Sequence, residues 1–170
     1  MTESESRIVV GIVPGQPAAV VATAASFAER FDAELVCAYV DTVRYGIGAD
    51  LDGAVVALPI EADLAAEVVE MVDSELRAAV AAALEGRSVR WSIRALAGAP
   101  ALELGRLAEE VDATMIVVGT REPGIRGSLH EFFNGSVAAQ LTHRQRRPVL
   151  VVPLRPVGEE GELPWEDAGS

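Results

Sequence analysis

A series of short, unbroken apolar runs rich in β-branched residues limits the folds that this chain can adopt. The clearest are Arg7–Val13, Glu34–Val40, Met115–Gly119 and Val149–Val152, none of which alternates apolar with polar side chains. Strands of this kind are buried on both faces, as in parallel sheets covered by helices. Strand and helix signals alternate about once per thirty residues, the length of a βα unit. The sequence therefore predicts an open α/β sheet with right-handed crossovers.

Four segments between these runs have the spacing of amphipathic helices. The first follows Pro17, and the second is long and ends at Gly86, a residue type that commonly terminates helices. The third is predicted to bury Leu104 or Gly105 together with its neighbours, and Pro148 ends the fourth. The apolar positions that carry these predictions are Val20, Ala24, Phe27, Ala28 and Phe31, then Leu64 to Leu84, then Leu102, Leu107 and Ala108 within Ala101–Val111, then Val137 and Leu141 after Gly135 and Ser136.

The remaining segments define the limits of the domain. Val89–Arg94 alternates apolar and polar residues, which suits a strand at a sheet edge. Residues 41–61 have three glycines and no clear period, so we expect a long loop. We expect residues 1–6 to be disordered, residues 7–153 to form one domain, and residues 154–170 to form an acidic tail.

Charge excludes several classes of partner. The chain has 26 acidic and 14 basic residues, all of the latter arginine, and its net charge of −12 repels a phosphate backbone or an anionic membrane. Neither nucleic-acid nor membrane binding is therefore expected. The run Arg144–Arg147 is interpreted as the C-terminal end of a helix, where cations oppose the helix dipole. The polar, acidic first residues are unlike a secretory signal, so a cytoplasmic location is expected.

The sequence offers few candidates for catalysis. Cys37, the one cysteine, lies in an apolar run and is interpreted as a small core residue. His130 and His143 have no ligand partners at metal-binding spacing, so no metal site is predicted. The Gly-x-Ser-x-Gly pattern of many hydrolases is absent. No catalytic residue is predicted, and an enzyme is the less favoured interpretation.

A ligand site is expected beyond the carboxyl ends of the strands, where the winding direction reverses. The turn after the first strand, Val13–Gln16, contains one glycine and matches neither common phosphate-loop pattern. The loop after the fourth strand is richer in glycine and leads into Gly135 and Ser136 at a helix start, where backbone amides suit a phosphate group. The alternative is that Ser136 only caps the helix by bonding the amide of Ala138 or Ala139.

Five blocks in order along the chain resemble the universal stress protein family. They are Arg7–Gly11, Gly98–Ala101, Asp112–Arg121, Gly135–Ala138 and Pro148–Pro153. The resemblance implies a five-stranded parallel sheet of order 3-2-1-4-5 with helices on both faces, similar to adenine nucleotide alpha hydrolases. It also implies a homodimer, with the last strand, Val149–Val152, at a sheet edge where it pairs with the partner.

The family includes members that bind ATP and members that do not. Binders carry a glycine motif after the fourth strand, and here Glu122 stands at its second glycine and the loop is three residues too long. Val13 stands where binders place an Asp. The resemblance therefore leaves two alternatives, a member that binds ATP or AMP, with Mg²⁺ if ATP, and a member with no cofactor. The candidate contact residues for a nucleotide are Val13, Pro14, Gly15, Val40, Gly119, Arg121, Gly124, Arg126, Gly127, Gly135, Ser136 and Val137.

Two functions follow as expectations. The first is a non-catalytic homodimeric protein that regulates or protects by binding during stress. The second is a nucleotide-controlled switch that binds ATP or AMP, with at most slow hydrolysis. A nucleotidyl-transfer enzyme of related fold is disfavoured, because the turn after the first strand lacks the acidic or Ser-Gly-Gly-type loop that such enzymes need.

Overall fold

A computed structural model of the protein describes residues 6–15, 18–41, 74–120 and 136–154. Its five strands form one sheet in the order β3-β2-β1-β4-β5, and every neighbouring pair is parallel. This confirms the predicted fold class and strand order. The strands are β1 (Arg7–Ile12), β2 (Glu34–Asp41), β3 (Trp91–Ala97), β4 (Met115–Gly119) and β5 (Val149–Val152).

Four helices connect these strands within the described residues. They are α1 (Ala19–Phe31), α2 (the described part, 74–83), α3 (Pro100–Glu110) and α4 (Val137–Arg144). None of these helices is both long enough and apolar enough to cross a membrane, and this statement covers the described residues alone.

The helices cover the two faces of the sheet in pairs. Helices α1 and α2 pack with one set of core residues, which includes Val20, Val80 and Leu35. Helices α3 and α4 pack with the other set, which includes Leu104 and Leu141. The chain therefore winds toward β3 over one face and toward β5 over the other. The winding direction reverses between β1 and β4, which lie side by side at the centre of the sheet.

The local signals in the sequence explain most element boundaries. Gly86 takes a φ of 74° just after α2, a left-handed conformation that suits glycine. Helix α3 begins with Pro100 at its first position, where the missing N–H costs no helical hydrogen bond. Arg144 lies in the last turn of α4, as predicted for the arginine run. Cys37 is buried in β2, which confirms that it is a core residue.

Four predictions from the sequence are wrong in detail. The first strand ends at Ile12 rather than at Val13. The edge strand runs over Trp91–Ala97 rather than Val89–Arg94, because its pairing with β2 continues to Asp41. Leu102 is 38% exposed and Phe31 is 48% exposed, although both fit the helical pattern of core positions. Leu102 precedes the buried Leu104 by two positions, which places the two side chains on different sides of α3.

Several predictions fall outside the described residues. They concern the disordered start, the loop after β2, the first part of the long second helix and the acidic tail.

Candidate functional site

The candidate site lies at the carboxyl ends of β1 and β4. Val10 of β1 pairs with Val117 of β4, so the residues that follow the two strands emerge side by side. Gly11 leaves room for the side chains packed on this part of the sheet, because a Cβ added there would lie 3.1 Å from a methyl group of Leu104 and 3.2 Å from one of Val118. The ends of β1 and β4 are therefore neighbours at the point where the winding direction reverses.

The chain leaves β1 through Val13, Pro14 and Gly15. The side chain of Val13 is 54% exposed, which is unusual for a valine that directly follows a buried strand. Gly15 has a φ of 71°, and an added Cβ would meet no atom within 4 Å. This turn therefore presents an apolar side chain and accessible backbone at the edge of the sheet.

The chain leaves β4 through Gly119 and Thr120, and Thr120 is a residue that sequence reasoning missed. Its backbone N–H donates to the carbonyl of Val152 over 2.9 Å. Its hydroxyl Oγ1 accepts a hydrogen bond from the N–H of Leu154, also over 2.9 Å. Thr120 thus extends the pairing of β4 with β5 past the end of the strands. A threonine straight after a buried strand was the available signal, but its partner is 34 residues away.

Ser136 is the N-cap of α4. Its side-chain oxygen accepts a hydrogen bond from the amide of Ala139 over 3.4 Å. This observation confirms the capping interpretation, with Ala139 rather than Ala138 as the donor. The amides of Val137 and Ala138 lie in the first turn, where no helical carbonyl is available to them. They are the donors that the helix can offer to an anion.

Val40 lies near the carboxyl end of β2, on the far side of β1 from β4. It is half-buried and packs against the core set of the α3 side together with Leu96. The β2 end is joined to the next element by the amide of Gly98, which donates to the carbonyl of Asp41 over 3.2 Å. Val40 therefore forms an apolar wall beside the strand ends rather than a polar contact.

The described site residues supply apolar surface, backbone amides and two hydroxyls. A ring system could pack on Val13 and Val40, and a phosphate could accept from the first amides of α4. No group of three or more His, Cys, Asp or Glu side chains suited to a metal ion occurs within the described ranges. Arg121, Gly124, Arg126, Gly127 and Gly135 lie outside the described residues, so their predicted contacts are not placed.

A family model supplies the identification. The model described as "Universal stress protein family" matches residues 6–153, which is most of the chain. This chain belongs to the universal stress protein family. The resemblance predicted from the five sequence blocks is thereby confirmed. None of the curated proteins is a significant sequence match to the chain.

Solved structures of other universal stress proteins have the same fold. One in complex with cAMP is 24% identical, with a TM-score of 0.60 over 89% of this chain and 98% of that chain. One from Burkholderia pseudomallei is 24% identical, with a TM-score of 0.56 over 90% of this chain and 99% of that chain. One from Archaeoglobus fulgidus in complex with dAMP is 18% identical, with a TM-score of 0.53 over 86% of this chain and 97% of that chain.

Proposed function

We propose that this universal stress protein is a non-catalytic, homodimeric binding module with a regulatory or protective role in the stress response. The observation that carries this proposal is the chemistry at the strand ends. The hydroxyl groups of the described residues there, on Thr120 and Ser136, both accept hydrogen bonds from backbone amides. Val13, Val40 and Val137 at this edge are apolar, and Asp41 at the end of β2 carries a carboxylate. This set suits binding and lacks the paired nucleophile and base that acyl or phosphoryl transfer requires.

The proposed dimer forms through β5. In the ladder with β4, the amide of Ile116 donates to the carbonyl of Pro148, and the amide of Thr120 donates to that of Val152. The alternation of a parallel ladder then directs the backbone groups of Val149 and Val151 away from β4. The side chain of Val151 is 39% exposed. An edge of only apolar side chains, whose outward backbone groups have no ladder partner among the described residues, is suited to pairing with a second copy.

A second candidate function is a nucleotide-controlled switch that binds ATP or AMP, with Mg²⁺ if ATP. Two observations favour it. The ends of β1 and β4 meet beside a helix whose first amides suit an anion. Two structural neighbours of the same family are complexes with cAMP and with dAMP. In this chain, Val13 removes the carboxylate that the family resemblance places after β1, so we expect weak selection for the nucleoside.

The two candidates are separated by a measurement of nucleotide content and affinity. Mass spectrometry of the denatured purified protein would detect a retained nucleotide, and calorimetry with ATP and Mg²⁺, AMP and cAMP would give affinities. The binding-module proposal predicts no retained nucleotide and no heat at about millimolar ligand, which is the weak end of specific affinity. A retained nucleotide, or binding in the micromolar range, would favour the switch.

Val13→Asp sharpens this test. A carboxylate that accepts a hydrogen bond from a ribose hydroxyl is worth about 1.5–3 kcal/mol, which is about a tenfold to hundredfold gain in affinity. If the strand ends form a nucleotide site that lacks only this acceptor, the variant binds AMP measurably. Val13→Asn, which also offers an oxygen but no charge, is the matched control and is expected to gain less.

We propose the cytoplasm as the location. A chain with a single cysteine, buried in β2, uses no internal disulfide, as is usual in reducing compartments.

A further inference from the structure

A groove runs along α3, from Ala101 and Leu102 in its first turn, to the end of α4. Its volume is about 470 Å³. Four arginines and one glutamate line it, together with small and apolar residues of α3. Its charged lining is Arg106, Glu109, Arg144, Arg146 and Arg147. This concentration of positive charge is unexpected in a chain whose net charge is −12.

Two of these arginines form ion pairs with carboxylates of the domain. Arg147 donates from Nε to the carbonyl of Ala113 over 2.7 Å and forms an ion pair with Asp112 over 3.3 Å. Arg106 forms an ion pair with Glu103 over 2.9 Å. These contacts fix the walls of the groove and leave its charge partly compensated.

Arg144 and Arg146 are different. Both are exposed, and neither forms an ion pair with a carboxylate of the described residues. Arg144 lies in the last turn of α4, and Arg146 follows two residues later. The two guanidinium groups are therefore available to an anionic partner.

The floor of the groove is apolar and partly open. Leu102 is 38% exposed there, although it lies on a helix whose other leucines are buried. Gly105 has no side chain, and an added Cβ would meet only Gln145, at 3.9 Å. An apolar floor with a side-chain gap, beside unpaired arginines, suits a peptide that carries both an aromatic ring and carboxylates.

We propose that the C-terminal segment of this same chain, residues 155–170, docks in this groove. The segment has five carboxylates and one arginine, with a leucine and a tryptophan among them. Charge complementarity with Arg144 and Arg146 directs the docking, and Trp165 packs on the floor near Leu102 and Gly105. The carboxylates are Glu159, Glu160, Glu162, Glu166 and Asp167.

The length of the segment allows this docking. Arg146 and Leu154 are separated by eight residues, which span at most about 29 Å when extended. Trp165 follows Leu154 by eleven residues, which reach about 40 Å at the same extension. Trp165 can therefore reach the position of Arg146, and the spare length allows a path that leaves the edge of β5 uncovered.

Cross-linking tests the proposal, because the chain contains no lysine. Arg146→Lys introduces a single side-chain amine into the groove and keeps its charge. Treatment of the full-length variant with a water-soluble carbodiimide would then join this amine to nearby carboxylates. Chymotryptic peptides analysed by mass spectrometry would locate the bond, since the Arg-Pro sequences at Arg147 and Arg155 resist trypsin. The expected product links position 146 to one of the five tail carboxylates.

The control is Arg94→Lys, which places an amine on the exposed surface of β3, at the other side of the sheet. It is expected to form no bond to the tail. Links from position 146 only to Glu109 or other carboxylates of the domain would overturn the proposal, as would equal tail links in the control. Cross-links that appear only as covalent dimers would assign the groove to the tail of a second copy and overturn docking within one chain.

Fluorescence gives a second readout without the cross-linker. In Trp91→Phe, Trp165 is the remaining tryptophan. Its emission is expected at shorter wavelength at low salt than at about 1 M salt, where the screening length falls to about 3 Å. The added change Arg146→Glu should give the high-salt spectrum at low salt, whereas Arg94→Glu should not. An emission unaffected by salt and by Arg146→Glu would contradict the proposal.

Discussion

The two edges of the sheet, β3 and β5, differ in length, side chains and polar contacts. Strand β3 has seven residues, and Ser92 and Arg94 interrupt its apolar pattern. Ser92 donates to Glu34, which also pairs with Arg7, and Arg94 is exposed. Strand β5 has four residues, all apolar. Charged and polar side chains protect an edge from pairing with other chains.

This difference indicates which edge strand can pair with a second copy of the chain. Both edges direct alternate backbone groups away from the sheet, so backbone geometry alone does not distinguish them. The side chains do, because a second copy that paired with β3 would bring its own chain against Arg94. We therefore expect association through β5 and protection of β3.

The largest expected effect comes from a charge on the apolar edge. Val151→Asp would bury an unpaired carboxylate in the proposed dimer interface, at a cost of about 3–5 kcal/mol. The dissociation constant should therefore rise at least about a hundredfold. Light scattering across a dilution series would measure it. Ala95→Asp, on exposed β3, is the matched control, and loss of the dimer in that variant would reverse the roles of the edges.

The burial of the Cys37 thiol reports on how tightly the β3 side of the sheet is packed, because Cys37 of β2 pairs with Ile93 of β3. Burial raises the pKa of its thiol from 9.0 to about 12. The folded state thus holds the thiol proton more tightly than the unfolded state. The contribution of the protonated thiol to the free energy of unfolding is therefore complete below about pH 9 and is lost as the pH rises toward 12. The unfolding free energy lost across this pH range is at most about 4 kcal/mol.

Cys37→Ala should therefore make stability less dependent on pH in this range. Urea unfolding at about pH 8 and about pH 11 would compare the variant with the natural chain. An unchanged pH dependence would mean that the thiol does not stay buried and that the β3 side opens readily.

The side chains packed near the two edges should also contribute differently to the free energy of unfolding. Leu141 of α4 is fully buried on the β5 side, and Leu141→Ala should cost about 3 kcal/mol of unfolding free energy. Leu96 of β3 is only partly buried, and Leu96→Ala should cost about 1 kcal/mol. Chemical denaturation would measure both. Equal losses would show that the β3 side is packed as tightly as the β5 side.

The smallest effects concern the polar contacts near each edge. Arg147, just before β5, bonds the carbonyl of Ala113 and the carboxylate of Asp112, and Arg147→Ala should cost about 1–2 kcal/mol. Ser92→Ala removes one partly exposed hydrogen bond to Glu34 and should cost about 0.5 kcal/mol. Thermal unfolding of the two variants would rank them, and the reverse order would contradict the comparison.

The sequence predicted the central strands well, because burial on both faces leaves an unbroken apolar run. The bounds of β4 were predicted correctly for this reason, and those of the edge strand β5 because Pro148 and Pro153 bracket its four apolar residues. The bounds of β3 were not, since Ala95 and Ala97 give no strand signal and their assignment depends on pairing with β2. On α3, Leu102 was wrongly counted among the core positions, because it lies two residues before Leu104 and so on another side of the helix.

The candidate site was predictable where its contacts are local. The cap formed by Ser136 spans three residues, so the sequence was sufficient to predict it. The bond between Thr120 and Leu154 joins two segments that only the folded sheet brings together. The exposure of Val13 also required the structure, since an apolar residue after an apolar strand reads as part of the core.

Amide hydrogen exchange at the two edges is the most direct test of the central claim, that β5 and not β3 receives a second copy. Exchange would be followed by NMR for Val149 and Val151, and for Ile93 and Ala95, at concentrations above and below dissociation. We predict slow exchange at Val149 and Val151 in the dimer, faster exchange on dilution, and no change at Ile93 and Ala95. Rapid exchange at Val149 and Val151 at every concentration, or protection that appears at β3 instead, would contradict it.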